Sequence, residues 1–325
     1  MSRTCAWYRW LCALSAITLV VTRAAALTHF GPIIGIVAQP VAKHGEYISA
    51  SYVKWIEMAG GRVVPLPFNA SIEHLEEILP QLNGVLFPGG EADPSVGARF
   101  IYDYVVRAND NGDYFPLWGT CLGFEWLVQI TAQNMSALQP DFDAENISLP
   151  LDLTPAAAES RILTGARASG VYSSLETLPI TMNSHHLGVE PAHFASFERL
   201  TSFFRVLATN VDRVGRPFVA MVEAVDYPIY GVQFHPEKNV FEHGIDDDGT
   251  PWEVVDHSFE SILMGQHFAN FFVNEARRNQ HRFKDSHKQT AALIYNYQTS
   301  TALGPEMVEA YIFKHDHGLH YWRLP

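Results

Sequence analysis

Apolar positions fall into short blocks separated by polar, glycine-rich turns. Residues 32–39 are a run rich in β-branched side chains, which predicts a first buried strand. Tyr52, Val53 and Ile56 share one face of a predicted helix. Ser49 is its candidate cap, and Gly60-Gly61 end it. Residues 62–66 predict a second strand, 71–82 a helix, and 84–88 a third strand running into Gly89-Gly90. A helix over 97–107 leads to another short strand, a sharp turn and a helix within 114–125. That last helix carries Phe124, Leu127, Val128 and Ile130 at helical spacing. Strand–helix alternation implies a parallel sheet with helices on both faces, whose ligands bind at the carboxyl ends of the strands. Gly89-Gly90 and Cys121 both fall at such ends.

The pattern changes after residue 133. Residues 134–178 hold Pro140, Pro150, Pro155 and an alanine-rich stretch, and read as an irregular surface insertion. Apolar runs at 180–183, 204–208, 218–224 and 229–234 predict antiparallel additions and one final core strand. A long amphipathic helix over 258–278 is expected to close the core through Phe259, Ile262, Leu263, Phe268, Phe271 and Phe272. Two short segments, 291–297 and 308–313, are expected to cover a sheet edge or a partner.

Residues 1–26 read as a secretory signal peptide: Arg3 and Arg9, an apolar run over 10–21, then Ala24-Ala25-Ala26. Residues 27–325 then form one domain. The sequons at Asn69, Asn134 and Asn146 are glycosylation candidates that fit the secretory route. The full chain of 325 residues carries −13. Removing Arg3, Arg9 and Arg23 with the leader takes 22 basic residues to 19 against 35 acidic ones, a net of −16. Such a chain is a poor partner for nucleic acid. No later stretch is long and apolar enough to predict a membrane span.

The candidate chemistry lies in two stretches. In Gly119-Thr120-Cys121-Leu122-Gly123 the glycines let a strained strand-to-helix turn close without a Cβ clash. Such an elbow sets the Cys121 sulfur beside a helix N-terminus, which favours a thiolate. A small cysteine buried between structural glycines fits the pentapeptide equally. The chain has three cysteines, and Cys5 and Cys12 lie in the leader. Cys121 therefore has no disulfide partner in the mature domain and reads as a reactive thiol. In the second stretch, 230–238, a buried strand ends in His235-Pro236-Glu237. Histidine suits the base that a cysteine nucleophile needs. Glu237, on the same side of an extended segment, is expected to orient it. The alternative is a His-Pro strand terminator followed by an exposed glutamate.

Residues 119–125, Phe87-Pro88-Gly89-Gly90 and residues 231–238 together resemble the class I glutamine amidotransferase-like superfamily. Through residues 47–66, 112–125 and 271–278, with Asn183 and His185, the chain more closely resembles its γ-glutamyl hydrolase (folylpolyglutamate hydrolase) family. The resemblance implies a three-layer flavodoxin-like core with a mostly parallel central sheet, helices on both faces and antiparallel additions. By position it implies Cys121 as nucleophile, His235 as general acid/base and Glu237 as the residue orienting it. The backbone N–H groups of Gly90 and Leu122 would form the oxyanion hole. Glu125 would meet the substrate's α-amino group and His185 a substrate carboxylate. A structural role for either stays open, and His186 competes with its neighbour. Trp126 is expected to alter the shape of the pocket.

The implied reaction is hydrolysis of γ-glutamyl bonds in folylpoly-γ-glutamates, and antifolate polyglutamates, through a Cys121 acyl-enzyme. It releases glutamate or short poly-γ-glutamate and uses no metal or cofactor. Alternatives are a glutaminase or amidotransferase activity and a non-catalytic exported binding protein. The resemblance also implies a homodimer. The expected destination is a lysosome, a vacuole or the extracellular space, with no membrane attachment after leader removal. A polyanionic substrate conflicts with the negative charge. Lys238 and Arg62 are the expected local cations, and protonation of the 15 histidines in an acidic compartment would relieve the repulsion.

Overall fold

A computed structural model of the chain describes residues 31–41, 45–305 and 307–313; the expected leader, with Cys5 and Cys12, lies outside the described residues. Strand β1 (Ile33–Val37) is buried along its whole length. Its side chains alternate between two apolar layers, Ile34 and Ile36 in one, Ile33 and Val37 in the other. There follow β2 (Gln39–Val41), β3 (Gly45–Ser49), α1 (Ala50–Met58), β4 (Arg62–Leu66), α2 (Ile72–Ile78), β5 (Gly84–Phe87), α3 (Val96–Asp110), β6 (Leu117–Thr120) and α4 (Leu122–Ala132). The second half adds β7 (Ala144–Leu149), β8 (Asp152–Leu153), β9 (Thr181–His185), β10 (Phe204–Val211), β11 (Pro217–Ala224), β12 (Ile229–Val232), α5 (Phe259–Ala276), β13 (Thr299–Ser300) and β14 (Ala310–Phe313).

The main sheet runs β4-β1-β5-β6-β12-β11-β10-β8. Its first five strands are parallel, and the last three join antiparallel. Counted in chain order, the parallel strands stand 2-1-3-4-5, the flavodoxin-like arrangement. Trp55 and Ile56 of α1 and Phe268 and Phe272 of α5 cover one face. Leu75 of α2, Ile101 and Val105 of α3 and Leu127 of α4 cover the other. The expected three layers and antiparallel additions are therefore present. Ser71, Ser95 and Ser258 cap α2, α3 and α5 by accepting backbone N–H groups.

Several expectations are corrected. Residues 134–178 are no surface insertion: β8 joins the main sheet, and Leu151, Ile162, Val171 and Leu175 are buried in the core. Their apolar side chains come in runs too short to show a period. Phe259 is 73% exposed; the buried face of α5 runs through Met264, Gly265, Phe268 and Phe272. Ser49 precedes α1 but does not cap it, because its hydroxyl meets Ser51 and Glu242. The β2–β3 pair has no counterpart in the sequence reading. It forms a second sheet, β13-β14-β3-β2, in which the tail strand β14 pairs along β3. The tail thus covers a sheet edge, one of its two expected roles.

Two close approaches fix the carboxyl ends of β5 and β6 against α4. An added Cβ at Gly123 would lie 2.0 Å from the Phe87 carbonyl oxygen, and one at Gly119 would lie 2.5 Å from that of Gly123. Both contacts are with backbone, which cannot rotate aside. Gly123→Ala should therefore cost about 3 kcal/mol of unfolding free energy in urea. A change below about 0.5 kcal/mol would show that α4 can shift away from β5.

Candidate active site

The carboxyl ends of β5, β6, β9 and β12 open into a pocket of about 520 Å³. Gly90, Cys121, Glu125, His185, His235 and Glu237 all line it. At the elbow Cys121 has φ +51° and ψ −111°, a conformation that costs a non-glycine residue energy and survives where the surroundings enforce it. Its N–H donates to the Val232 carbonyl at 2.9 Å, which ties the turn to the end of β12. Cys121 is 5% exposed and is the one free cysteine among the described residues. Leu122 is the first residue of α4, where a backbone N–H has no partner inside the helix. Gly90 takes φ +156°, and an added Cβ there would meet Gln39 at 2.7 Å.

His235 and Glu237 are 6% and 1% exposed, and His235 Nδ1 lies 2.7 Å from Glu237 Oε1. The pairing is as expected but its geometry is not. Glu237 sits in a helical conformation at the start of a short helix, so a turn and not an extended segment brings the two together. Gly265 lets α5 press on this turn, since its added Cβ would lie 2.6 Å from the Pro236 carbonyl. Burial disfavours charge on His235, but Glu237 and then Cys121 outweigh it and push its pKa up to about 10. With Nδ1 facing Glu237, Nε2 is left for the sulfur.

Tyr52 was legible only as a core residue of α1. Its hydroxyl accepts the Gly89 N–H at 2.8 Å and lies 3.3 Å from His235 Nδ1. Burial, then the charges of Glu237 and Cys121, hold its pKa well above the usual value. The neutral phenol therefore joins the glycine turn to the His–Glu pair. The signal is a contact between residues 183 positions apart, which no local pattern carries.

Glu125 accepts from Gln233 Nε2 at 3.0 Å, and burial pushes its pKa up to about 7 against that bond and the His235 charge. His185 Nδ1 lies 2.7 Å from the Leu187 carbonyl, so Nδ1 carries the proton. Burial lowers its pKa to about 4, which leaves it neutral and unable to act as a fixed cation. His186 is exposed beside Glu145 at 3.3 Å. Arg62 lies away from the pocket, donating to the Gly31 carbonyl. Lys238 is in the pocket, bound to Glu253. Trp126 is not in the lining; it is buried against Phe87, with its indole N–H on the Ala92 carbonyl. Among the described residues no three His, Cys, Asp or Glu are grouped to hold a metal ion, and no helix is long and apolar enough to cross a membrane. Asn69, Asn134 and Asn146 are exposed; Asn146 Oδ1 accepts the Val254 N–H.

Residues 32–237 match the peptidase C26 family. The chain is similar to gamma-glutamyl hydrolase B of Dictyostelium discoideum, 43% identical over 295 residues, covering 87% of this chain and 83% of the relative. It is similar to the gamma-glutamyl hydrolase of Homo sapiens, 37% identical over 281 residues, covering 82% and 84%. It is also similar to gamma-glutamyl hydrolase 1 of Arabidopsis thaliana, 36% identical over 299 residues, covering 88% and 83%.

Glu237→Gln removes the largest contribution holding the proton on His235. The His235 pKa should fall, so the alkaline limb of kcat/KM should move to lower pH by at least about 1 unit. His235→Asn should cost roughly 10²–10⁴-fold in kcat, and Glu237→Gln less. An unmoved limb, or a Glu237→Gln loss larger than that of His235→Asn, would refute these roles.

Proposed function

The chain belongs to the peptidase C26 family and hydrolyses γ-glutamyl bonds, and we propose that it does so on folylpoly-γ-glutamates through a Cys121 acyl-enzyme. The observation that carries the reading is the strained Cys121 elbow beside the buried His235–Glu237 pair. The sulfur attacks the γ-carbonyl carbon of a glutamyl side-chain amide. The Gly90 and Leu122 N–H groups take the charge that develops on its oxygen. His235 gives its proton to the departing nitrogen as the C–N bond breaks, leaving a thioester. Water then attacks the thioester while His235 takes its proton. The Cys121–acyl bond breaks and the γ-carboxylate leaves. Glu237 and Tyr52 hold the imidazole through both steps. Glu125 meets the α-ammonium where the substrate has one.

The destination follows from the leader expected at 1–26: export, then a lysosome, a vacuole or the extracellular space. Exposure of all three sequon asparagines supports that route. We keep the homodimer as the assembly implied by the resemblance.

Purified protein should release glutamate or short poly-γ-glutamate from a folate pentaglutamate, with mass spectrometry identifying the products. Free glutamine should turn over at least ~10²-fold less well in kcat/KM, and Cys121→Ala should abolish both activities. Glutamine as the better substrate, or full activity in Cys121→Ala, would overturn the reading.

A further inference from the structure

Carboxylates crowd the pocket, and Lys238 is the one lysine or arginine among its described lining residues. It opens the short helix Lys238–Phe241, directly after Glu237. Its Nζ donates to both Glu253 oxygens at 2.5 and 2.6 Å, and the two side chains are only 13% and 19% exposed. The loop carrying Glu253 is held by other contacts. Val254 donates its N–H to Asn146 Oδ1 and accepts from Ser148 Oγ. The Trp252 ring packs on Gly244, where an added Cβ would lie 2.0 Å from it, and its indole N–H donates to Asp246. The loop therefore presents the Glu253 carboxylate to Lys238 without needing that pair for its own shape.

We propose that Lys238 anchors a carboxylate of the substrate, and that Glu253 is a built-in stand-in occupying the anchor until the substrate displaces it. The proposal rests on the γ-glutamyl reading and deepens it. The other cations considered do not serve: His185 is neutral, His186 is exposed beside Glu145, and Arg62 lies outside the pocket. A largely buried ammonium with no partner is costly, and Glu253 removes that cost in the empty site. The exchange needs rotation of the Glu253 side chain and no movement of the loop backbone. It also makes the site selective. A ligand with a carboxylate replaces the bond it breaks, whereas a ligand without one must break the pair and gains nothing in return. Apparent affinity is the intrinsic affinity scaled by the fraction of protein in which Lys238 is free.

The test is steady-state kinetics on γ-glutamylglutamate with Lys238→Met, Lys238→Arg, Glu253→Gln and the Lys238→Met/Glu253→Gln double variant. Lys238→Met should raise KM about 10–100-fold, as loss of a hydrogen bond to a charged group does, with kcat reduced less than KM is raised. Lys238→Arg should recover most of the loss. Glu253→Gln should lower KM about 2–5-fold, and the lowering should vanish when Lys238 is Met. An unmoved KM in Lys238→Met overturns the anchor. A raised KM in Glu253→Gln, or the same lowering with and without Lys238, overturns the stand-in. If Lys238→Met does not fold, the sign of the Glu253→Gln effect decides alone. Where wild-type protein cleaves the folate pentaglutamate alone, the same variants are read on that substrate; wild-type protein that cleaves neither overturns the γ-glutamyl reading itself, and the anchor with it.

Discussion

The site depends first on a backbone contact. Gly123, near the start of α4, lies so close to the Phe87 carbonyl that a single methyl group does not fit between them. This contact joins the end of β5 to the helix that follows β6. The close approach of Gly119 to the Gly123 carbonyl keeps the turn between them tight, and Cys121 within it stands at φ +51°. The strain is maintained by packing on both sides. α4 is buried at all 11 of its positions, and β6 lies between β5 and β12. A looser junction would let the turn relax and would carry the sulfur away from His235.

The second constraint is electrostatic. His235, Glu237, Tyr52 and Glu125 are all withdrawn from water, where charge is costly unless paired. The solution differs from residue to residue. His235 keeps its proton because Glu237 and Cys121 supply more favourable charge than burial takes away. Tyr52 stays a neutral phenol. Glu125, with Gln233 as its hydrogen-bond partner, is pushed toward neutrality. Burial and pairing thus favour charge on His235 and disfavour it on Tyr52 and Glu125 beside it. Such preorganised polarity can stabilise a transition state without reorganising at the moment of reaction.

Sequence made the elbow and the His235–Glu237 pairing legible because each is a local device, although the pairing was expected on an extended segment and forms across a turn. Two glycines four positions apart, or a histidine two positions before a glutamate, can be read from the chain. Apart from the β2–β3 pair, the alternating strands and helices up to α4 were legible for the same reason. What escaped was set by distant contacts. Tyr52 reaches Gly89 and His235 only once α1 has packed against the sheet. Residues 134–178 look irregular by periodicity, yet Leu151, Ile162 and Val171 are buried because core helices and strands surround them. Phe259 fits a helical stripe but stands on the first turn of α5, where little lies opposite it. His185 reads as a possible cation until its Nδ1–H is seen to donate to the Leu187 carbonyl from a buried ring.

The proposed mechanism stands on a covalent bond between Cys121 and the γ-glutamyl group. It is tested most directly by quenching the protein in acid during turnover of a γ-glutamyl anilide and weighing the peptide that carries Cys121. A γ-glutamyl thioester is expected on that peptide, absent when substrate is omitted and absent in His235→Asn. Steady anilide cleavage with the Cys121 peptide unmodified throughout would contradict it.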